Sequence, residues 1–359
     1  MAVATNRGQA HERLALLLAG GGSRCRRWVA EAGADQPLFD RLLARGVPPA
    51  LVRSARPLIT AEVPGVLDRV ERAGWRWIVP ADDEFPDLLA ATADPPLGLF
   101  VRGRLESGRR VTVVGSRRAT AYGRQVARLL AEALARAGVV VVSGMARGVD
   151  AAAHEGAVAC TGETWAVWGT GPDRVYPPEH RRLAEDIAGH GALLTEYPPG
   201  TPPRKHHFPE RNRLLAGVAD AVVVVEAAAR SGALVTARLA VDEGREVFAV
   251  PGSIFSDLSI GPNTLLRLGA RPLLNPNDVL QLLEIPSRPA AEQPVVGGDA
   301  LRRLLKAGET VTADELAARA DRPVAEVLQQ LLQWELEGLV RRQPDGRYSL
   351  VRGIHLAGG

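Results

Sequence analysis

An α/β fold, with a parallel sheet set between two smaller helical parts, is predicted by three features of these 359 residues. Six runs rich in β-branched residues alternate with amphipathic segments in the middle of the chain. Those runs are continuously apolar rather than alternating, as strands covered by helices on both faces must be. Before and after them the pattern turns helical and is punctuated by glycine and proline.

The length fits two or three domains, and 46% hydrophobic against 24% charged residues is the balance of a chain that folds. Residues 1–80 read as an all-α module of short helices, among them "RLALLLAG", "RRWVAEAG", "PLFDRLLARG" and "PALVRSARPLI". Residues 81–286 carry the strands "VTVVGS", "VVVVSG", "TWAVWG", "LLTEY", "AVVVVEA" and "VFAVPG", which predict an extended Rossmann-like domain. A linker, "SRPAAEQPVVGG", spans 287–298. Residues 299–359 offer three helices and a strand pair turning at Asp345 and Gly346, the pattern of a winged helix.

Bulk charge excludes little, because 44 basic residues stand against 41 acidic for a net +3. Local charge is more informative. In "RKHHFPERNR", Arg204, Lys205, Arg211 and Arg213 face Glu210 alone, so ten residues match the net charge of the chain. Two cysteines, Cys25 and Cys160, are too few for a disulfide framework. "LALLLAGGG" is hemmed by charges on both sides, and no run reaches the roughly 18 apolar residues of a membrane span. A cytoplasmic protein without membrane attachment is expected.

Four predicted strands end in glycine, at Gly115, Gly144, Gly169 and Gly252. At the carboxyl edge of a doubly wound sheet, glycine lets phosphate approach backbone N–H groups, or merely allows a tight turn. The spacing fits no familiar cofactor: "GSRRATAYG" and "GTGPDR" are not G-x-G-x-x-G, and no P-loop is present. No cofactor is therefore expected. Arg117 and Arg118 stand where a cofactor turn keeps side chains small, and arginine beside exposed amides suits phosphate.

Three carboxylate and histidine positions stay open between chemistry and structure. Asp150 and His154, at i and i+4, form an acid–base pair or support a helix start. Glu226, ending "AVVVVE", serves as a general acid or base, or binds neighbouring amides. His206 and His207 lack partners at ligand spacing, so no metal site is expected, and no G-x-S-x-G nucleophile elbow appears.

The segments "DPPLGLFVRG", "VVGSRRATAYG", "VVSGMARGVDAAAH", "GTGPDRVYP", "KHHFPERNRLLAG", "VVVEAAARSGALVTARLA", "GREVFAVPGS" and "GPNTLLRLGA" resemble the bacterial DNA-processing protein A family, also called Smf. The resemblance is nearly continuous from Asp94 to Ala270. It implies a SAM-like amino-terminal module and a non-catalytic homodimer that dimerises through the Rossmann-like domain. Such a protein would bind and protect single-stranded DNA and help load the recombinase RecA in natural transformation. Carried over by motif, the DNA-binding positions are Arg117, Lys205, Phe208, Arg211, Asn212 and Arg213, with donors from Gly115, Ser116, Ser143 and Gly144.

Elementary physics fits those positions. Phe208 among cations supplies a flat surface for a base, worth about 1–3 kcal/mol when stacked. Four cations (Arg117, Lys205, Arg211, Arg213), each on one phosphate, predict a log–log salt slope of about −2.8. The helix "PVAEVLQQLLQWELEG" carries Glu326, Glu335 and Glu337 and no basic residue, so the winged helix is expected to meet protein rather than DNA. Arg341, Arg342 and Arg347 of the wing are the only argument against that. A nucleotide hydrolase resembling the lysine-decarboxylase-like phosphoribohydrolases is the alternative, although their P-G-G-x-G-T-x-x-E signature shrinks here to "PGS".

Overall fold

The computed structural model describes residues 2–21, 25, 26, 29, 38–285, 301, 304, 305, 309–336, 339–343 and 345–350. They fall into two compact units, Met1–Ser287 and Arg288–Gly359. The expected linker at 287–298, Glu337 and most of the helix expected from "RRWVAEAG" lie outside the described residues.

The amino-terminal segment is helical, with α1 at Ala2–Leu16, α2 at Leu38–Ala44, α3 at Pro49–Ala55, α4 at Leu58–Ala61 and α5 at Val63–Arg72. Proline opens α3, where the missing N–H has no intrahelical partner to lose. In α5 the buried residues are Val63, Val66 and Val70, a helical stripe. That stripe, with Leu14, Phe39 and Val52, belongs to one apolar cluster that continues into Phe100, Trp168 and Leu193 of the sheet region. The helical segment thus packs on the sheet and shares its core rather than forming a unit of its own.

Nine strands form the central sheet: β1 Arg76–Ile78, β2 Leu99–Gly103, β3 Arg110–Val114, β4 Val140–Ser143, β5 Thr164–Val167, β6 Ala192–Thr195, β7 Ala221–Val224, β8 Glu246–Ala249 and β9 Arg271–Pro272. Their order is β1-β2-β6-β5-β4-β3-β7-β8-β9. All pairings from β6 across to β9 are parallel, while β1 and β2 add an antiparallel edge.

Successive strand residues face opposite layers. Val111, Val113, Val141 and Val223 pack with Leu130 and Leu134 of the helix Ala121–Arg136 and with Ala152 and Ala153 of Val149–Ala159. Val114, Val140, Val142, Val222 and Val224 meet Leu214 and Leu215 of His207–Gly217, and Ala237 and Ala240 of Gly232–Asp242. Full burial on both faces is why the strands read as unbroken apolar runs.

The topology also locates a site. From β3 the chain winds outward through β4 and β5 to β6, then returns to place β7 on the other side of β3. The loops after β3 and β7 therefore diverge, and a crevice opens beyond the carboxyl ends of these two strands.

In the second unit the helix Ala313–Ala320 begins with a capping box between Thr312 and Glu315, and Val324–Leu336 follows. Three short strands, Thr310–Val311, Val340–Arg342 and Tyr348–Leu350, complete a small antiparallel sheet. Val327, Leu331 and Trp334 are buried, whereas Val324, Leu328 and Leu332, four residues apart, are exposed.

Candidate nucleic-acid interface

A cavity of about 1040 Å³ occupies the crevice at the β3/β7 switch point. Its walls come from six stretches far apart in sequence: 114–118 after β3, Ala146 and Asp150 after β4, Tyr176, 203–215, 228–236 after β7, and Asp257 with Leu258. Gly115, Ser116, Arg117, Lys205, Phe208, Arg211 and Asn212, all expected from the sequence, line it.

Local structure holds each wall. The Ser116 carbonyl accepts from the Val149 N–H at 3.2 Å, and the Ser116 hydroxyl oxygen accepts from the Arg118 N–H at 3.1 Å, which turns the chain sharply after β3. The Thr120 hydroxyl then caps the next helix by accepting from the Gly123 N–H. On the helix His207–Gly217, Phe208, Arg211, Asn212 and Leu215 recur at spacings of three and four and share the face toward the cavity.

Three expected residues sit outside the lining. Ser143 is buried in its strand, its hydroxyl donating to the Val113 carbonyl at 2.6 Å. Gly144 lies beneath the cavity floor, where a Cβ would come within 2.6 Å of the Arg211 guanidinium and 2.7 Å of Asp150 Oδ2. Arg213 projects from another face of its helix and is ion-paired with Glu196, donating also to the Asp94 carbonyl at 2.8 Å. Arg26 of the helical segment reaches the same two acids, at 2.9 Å from Asp94 and 3.3 Å from Glu196.

Arg211 lines the cavity but is 97% buried, its guanidinium donating to the carbonyls of Gly144 and Val167. Burial pulls its pKa down to about 10, opposed by the nearby Asp150 carboxylate. The cation beneath the floor is therefore fixed to backbone. Exposed positive charge comes from Arg117, Arg118, Arg204, Lys205 and Arg230, none of which is ion-paired among the described residues. Arg204 and Arg230 are additions to the carried-over set, and Arg118 joins it as the phosphate-suited arginine beside Arg117. The charge run around Lys205 and the arginine after β7 in "AAARSG" were visible signals for them.

Phe208 is flanked on three sides. One edge meets Gly169, where a Cβ would lie 3.1 Å from the ring. The Arg117 guanidinium sits over the ring at 5.0 Å from its centroid, a cation–π contact. Tyr176 stands beside it at 5.4 Å between centroids with planes tilted by 40°.

The strand-end glycines acquire a common explanation. A Cβ at Gly115 would collide with Val149, one at Gly144 with Arg211, one at Gly169 with Phe208 and one at Gly252 with Ser259. Glycine at these strand ends makes room for side chains that build the edge.

Each open carboxylate and histidine has a structural role. Glu226 is 4% exposed and accepts from the Thr120 N–H at 2.8 Å and its hydroxyl at 2.5 Å, anchoring the start of the helix Ala121–Arg136. His154 is fully buried, and its Nδ1 lies 2.7 Å from the Thr164 hydroxyl oxygen. That hydroxyl spends its proton on the Val141 carbonyl, so Nδ1 donates. Burial pushes the His154 pKa down to about 3. Asp150 accepts from the Ala146 N–H at 3.3 Å and borders the cavity; burial raises its pKa to about 6, against the pull of Arg211. His207 stacks on Tyr197 at 4.3 Å, and burial, then the neighbouring His206, lowers its pKa.

A doubly wound sheet with a cation-rimmed cavity at its switch point defines a Rossmann-like scaffold. A family model of DNA recombination-mediator protein A matches residues 76–284, and one of the DprA winged helix domain matches 286–346. The chain belongs to this DNA recombination-mediator family. It is 42% identical to Protein Smf of Escherichia coli, covering 78% of this chain and 79% of that one. Against DNA processing protein DprA of Bacillus subtilis it is 40% identical, covering 73% and 89%. The X-ray structure of DNA processing protein A from Streptococcus pneumoniae superposes with a TM-score of 0.63 at 33% identity, covering 78% of this chain and 96% of that one. A structure of the Helicobacter pylori protein, solved for its single-stranded DNA binding mode, matches at TM-score 0.52 and 31% identity, over 58% and 95%. Among the described residues no helix is long and apolar enough to cross a membrane.

Proposed function

We propose that the chain binds single-stranded DNA in the switch-point cavity, protects it, and helps load RecA onto it, without itself catalysing a reaction. One observation carries this: five exposed cations and two aromatic rings converge on a single cavity. Cations track a phosphate backbone, and ring faces engage bases whose own faces are free, which a duplex does not offer. The Helicobacter relative's single-strand binding supports the same assignment.

Roles divide by position. Arg117, Arg118, Arg204, Lys205 and Arg230 face the phosphates; Phe208 takes a base; Asn212 and the turn at Gly115 and Ser116 add polar contacts. Arg117 covers the Phe208 ring, so a base stacking there exchanges a cation–π contact for a π-stack and frees Arg117 for phosphate. Arg211, Ser143 and Gly144 support the floor, and Arg213 holds the helix from behind.

The homodimer is proposed for the β9 edge, where Ile254, Phe255, Leu268 and Leu274 are each at least 75% exposed. A cytoplasmic setting accords with binding DNA and RecA. The hydrolase alternative weakens because Glu226, its candidate acid or base, is committed to Thr120. Anisotropy titration of labelled single- and double-stranded oligonucleotides tests the proposal. Preference for the single strand, with affinity weakened in Lys205→Ala and Arg117→Ala, is expected; equal affinity for both strands, or released base from nucleoside monophosphates, overturns it.

A further inference from the structure

Tyr176 is the unassigned side chain of the cavity. The residue is 37% exposed and lines a cavity in a chain with only 4% aromatic residues. A tyrosine serving the core would be covered, as Tyr348 is at 6% exposure. No hydrogen bond to the Tyr176 hydroxyl occurs among the described residues, and the ring stands against the flank of Phe208.

We propose that Tyr176 is a second base-stacking surface, holding the nucleobase next along the strand from the one on Phe208. This rests on the single-strand reading above. The two centroids are 5.4 Å apart and the planes are tilted by 40°, so the rings are neighbours along a wall and leave no gap for a shared base. Their separation exceeds the roughly 3.4 Å step of a stacked strand, and each ring meets its own base in a strand that is partly extended. Arg117 lies over Phe208 alone. Tyr176, exposed where it lines the cavity, offers surface to a base. Ring stacking is indifferent to base identity, as suits a binder of arbitrary sequence.

The test compares short oligothymidylate with a base-free deoxyribose-phosphate strand of equal length, on wild type, Tyr176→Phe, Tyr176→Ala and Tyr176→Leu. Leucine keeps apolar contact with Phe208 but lacks a flat face, which guards against a packing defect. Tyr176→Phe binds as wild type. Tyr176→Ala and Tyr176→Leu lose about 5- to 150-fold on oligothymidylate, the worth of one stacked base, and nothing on the base-free strand. With Phe208→Ala added, a further loss on oligothymidylate is expected, short of the full product because the two rings touch. Equal losses on both strands, or a double variant no worse than Phe208→Ala, would overturn the assignment. If Tyr176→Ala binds as wild type while Lys205→Ala does not, Tyr176 has no stacking role and the single-strand reading stands. If wild type binds neither strand, the underlying reading fails.

Discussion

Arg213 and Glu196 are closed against each other as an ion pair, with side chains only 13% and 8% exposed, on the side of the cavity-lining helix turned away from the cavity. Arg26 completes the arrangement from the helical segment, so one carboxylate serves two arginines. Burial lowers the Arg213 pKa, and Glu196 opposes that shift.

Removing the Glu196 charge leaves two buried arginines short of a partner, a loss that typically costs about 3–5 kcal/mol. Glu196→Gln is expected to lower the urea midpoint accordingly. Arg213→Ala should likewise lose stability, while the folded variant keeps its single-strand affinity. Arg213→Ala with normal stability and the affinity of Lys205→Ala would place Arg213 among the phosphate ligands after all.

Asp150 makes stability depend on pH. Its carboxyl is raised from 3.8 to about 6 by burial, with Arg211 and then Arg117 opposing. The folded state thus favours the protonated form, and this contribution is complete below about pH 4 and lost as the pH climbs through about 6. Two units correspond to about 3 kcal/mol. Asp150→Asn keeps an oxygen for the Ala146 N–H and never ionises. Its stability relative to wild type should therefore rise by about 3 kcal/mol between pH 4 and pH 7, read from denaturant unfolding at each pH. A difference constant with pH would mean that Asp150 ionises in the fold as it does in the open chain.

The winged-helix unit is expected to contribute little to single-strand binding. Val324–Leu336 exposes Val324, Leu328 and Leu332 beside Glu326, a surface suited to protein rather than phosphate. A chain ending at Ser287, the limit of the first compact unit, should retain most of its affinity. A drop of about two orders of magnitude would assign phosphate contacts to the wing arginines.

Much of this was legible before the structure. Strands buried on both faces must be apolar throughout, and β3 to β8 stood out for that reason. The edges did not: β1 and β9 have three and two residues and lack such a signature, and β2, five residues long, has a single β-branched residue, Val101. Within the site, "KHHFPERNR" announced itself by charge, but charge does not say which way a helical residue points. Arg211 turned into the floor and Arg213 to the back of its helix. Arg230 and Tyr176 went unselected because only the switch-point topology brings residues 117, 176, 204 and 230 together. The strand-end glycines were legible as a group, while their cause, room for Val149, Arg211, Phe208 and Ser259, needed the packing.

The salt dependence of single-strand affinity tests the central claim most directly. Five exposed cations, Arg117, Arg118, Arg204, Lys205 and Arg230, in place of the four expected from sequence, predict a log–log slope of about −3.5. Affinity would fall about 130-fold between 50 and 200 mM salt, and the slope would ease to about −2.8 in Lys205→Ala. A wild-type slope near zero, or one that Lys205→Ala leaves unchanged, would contradict a phosphate-binding role for this cavity.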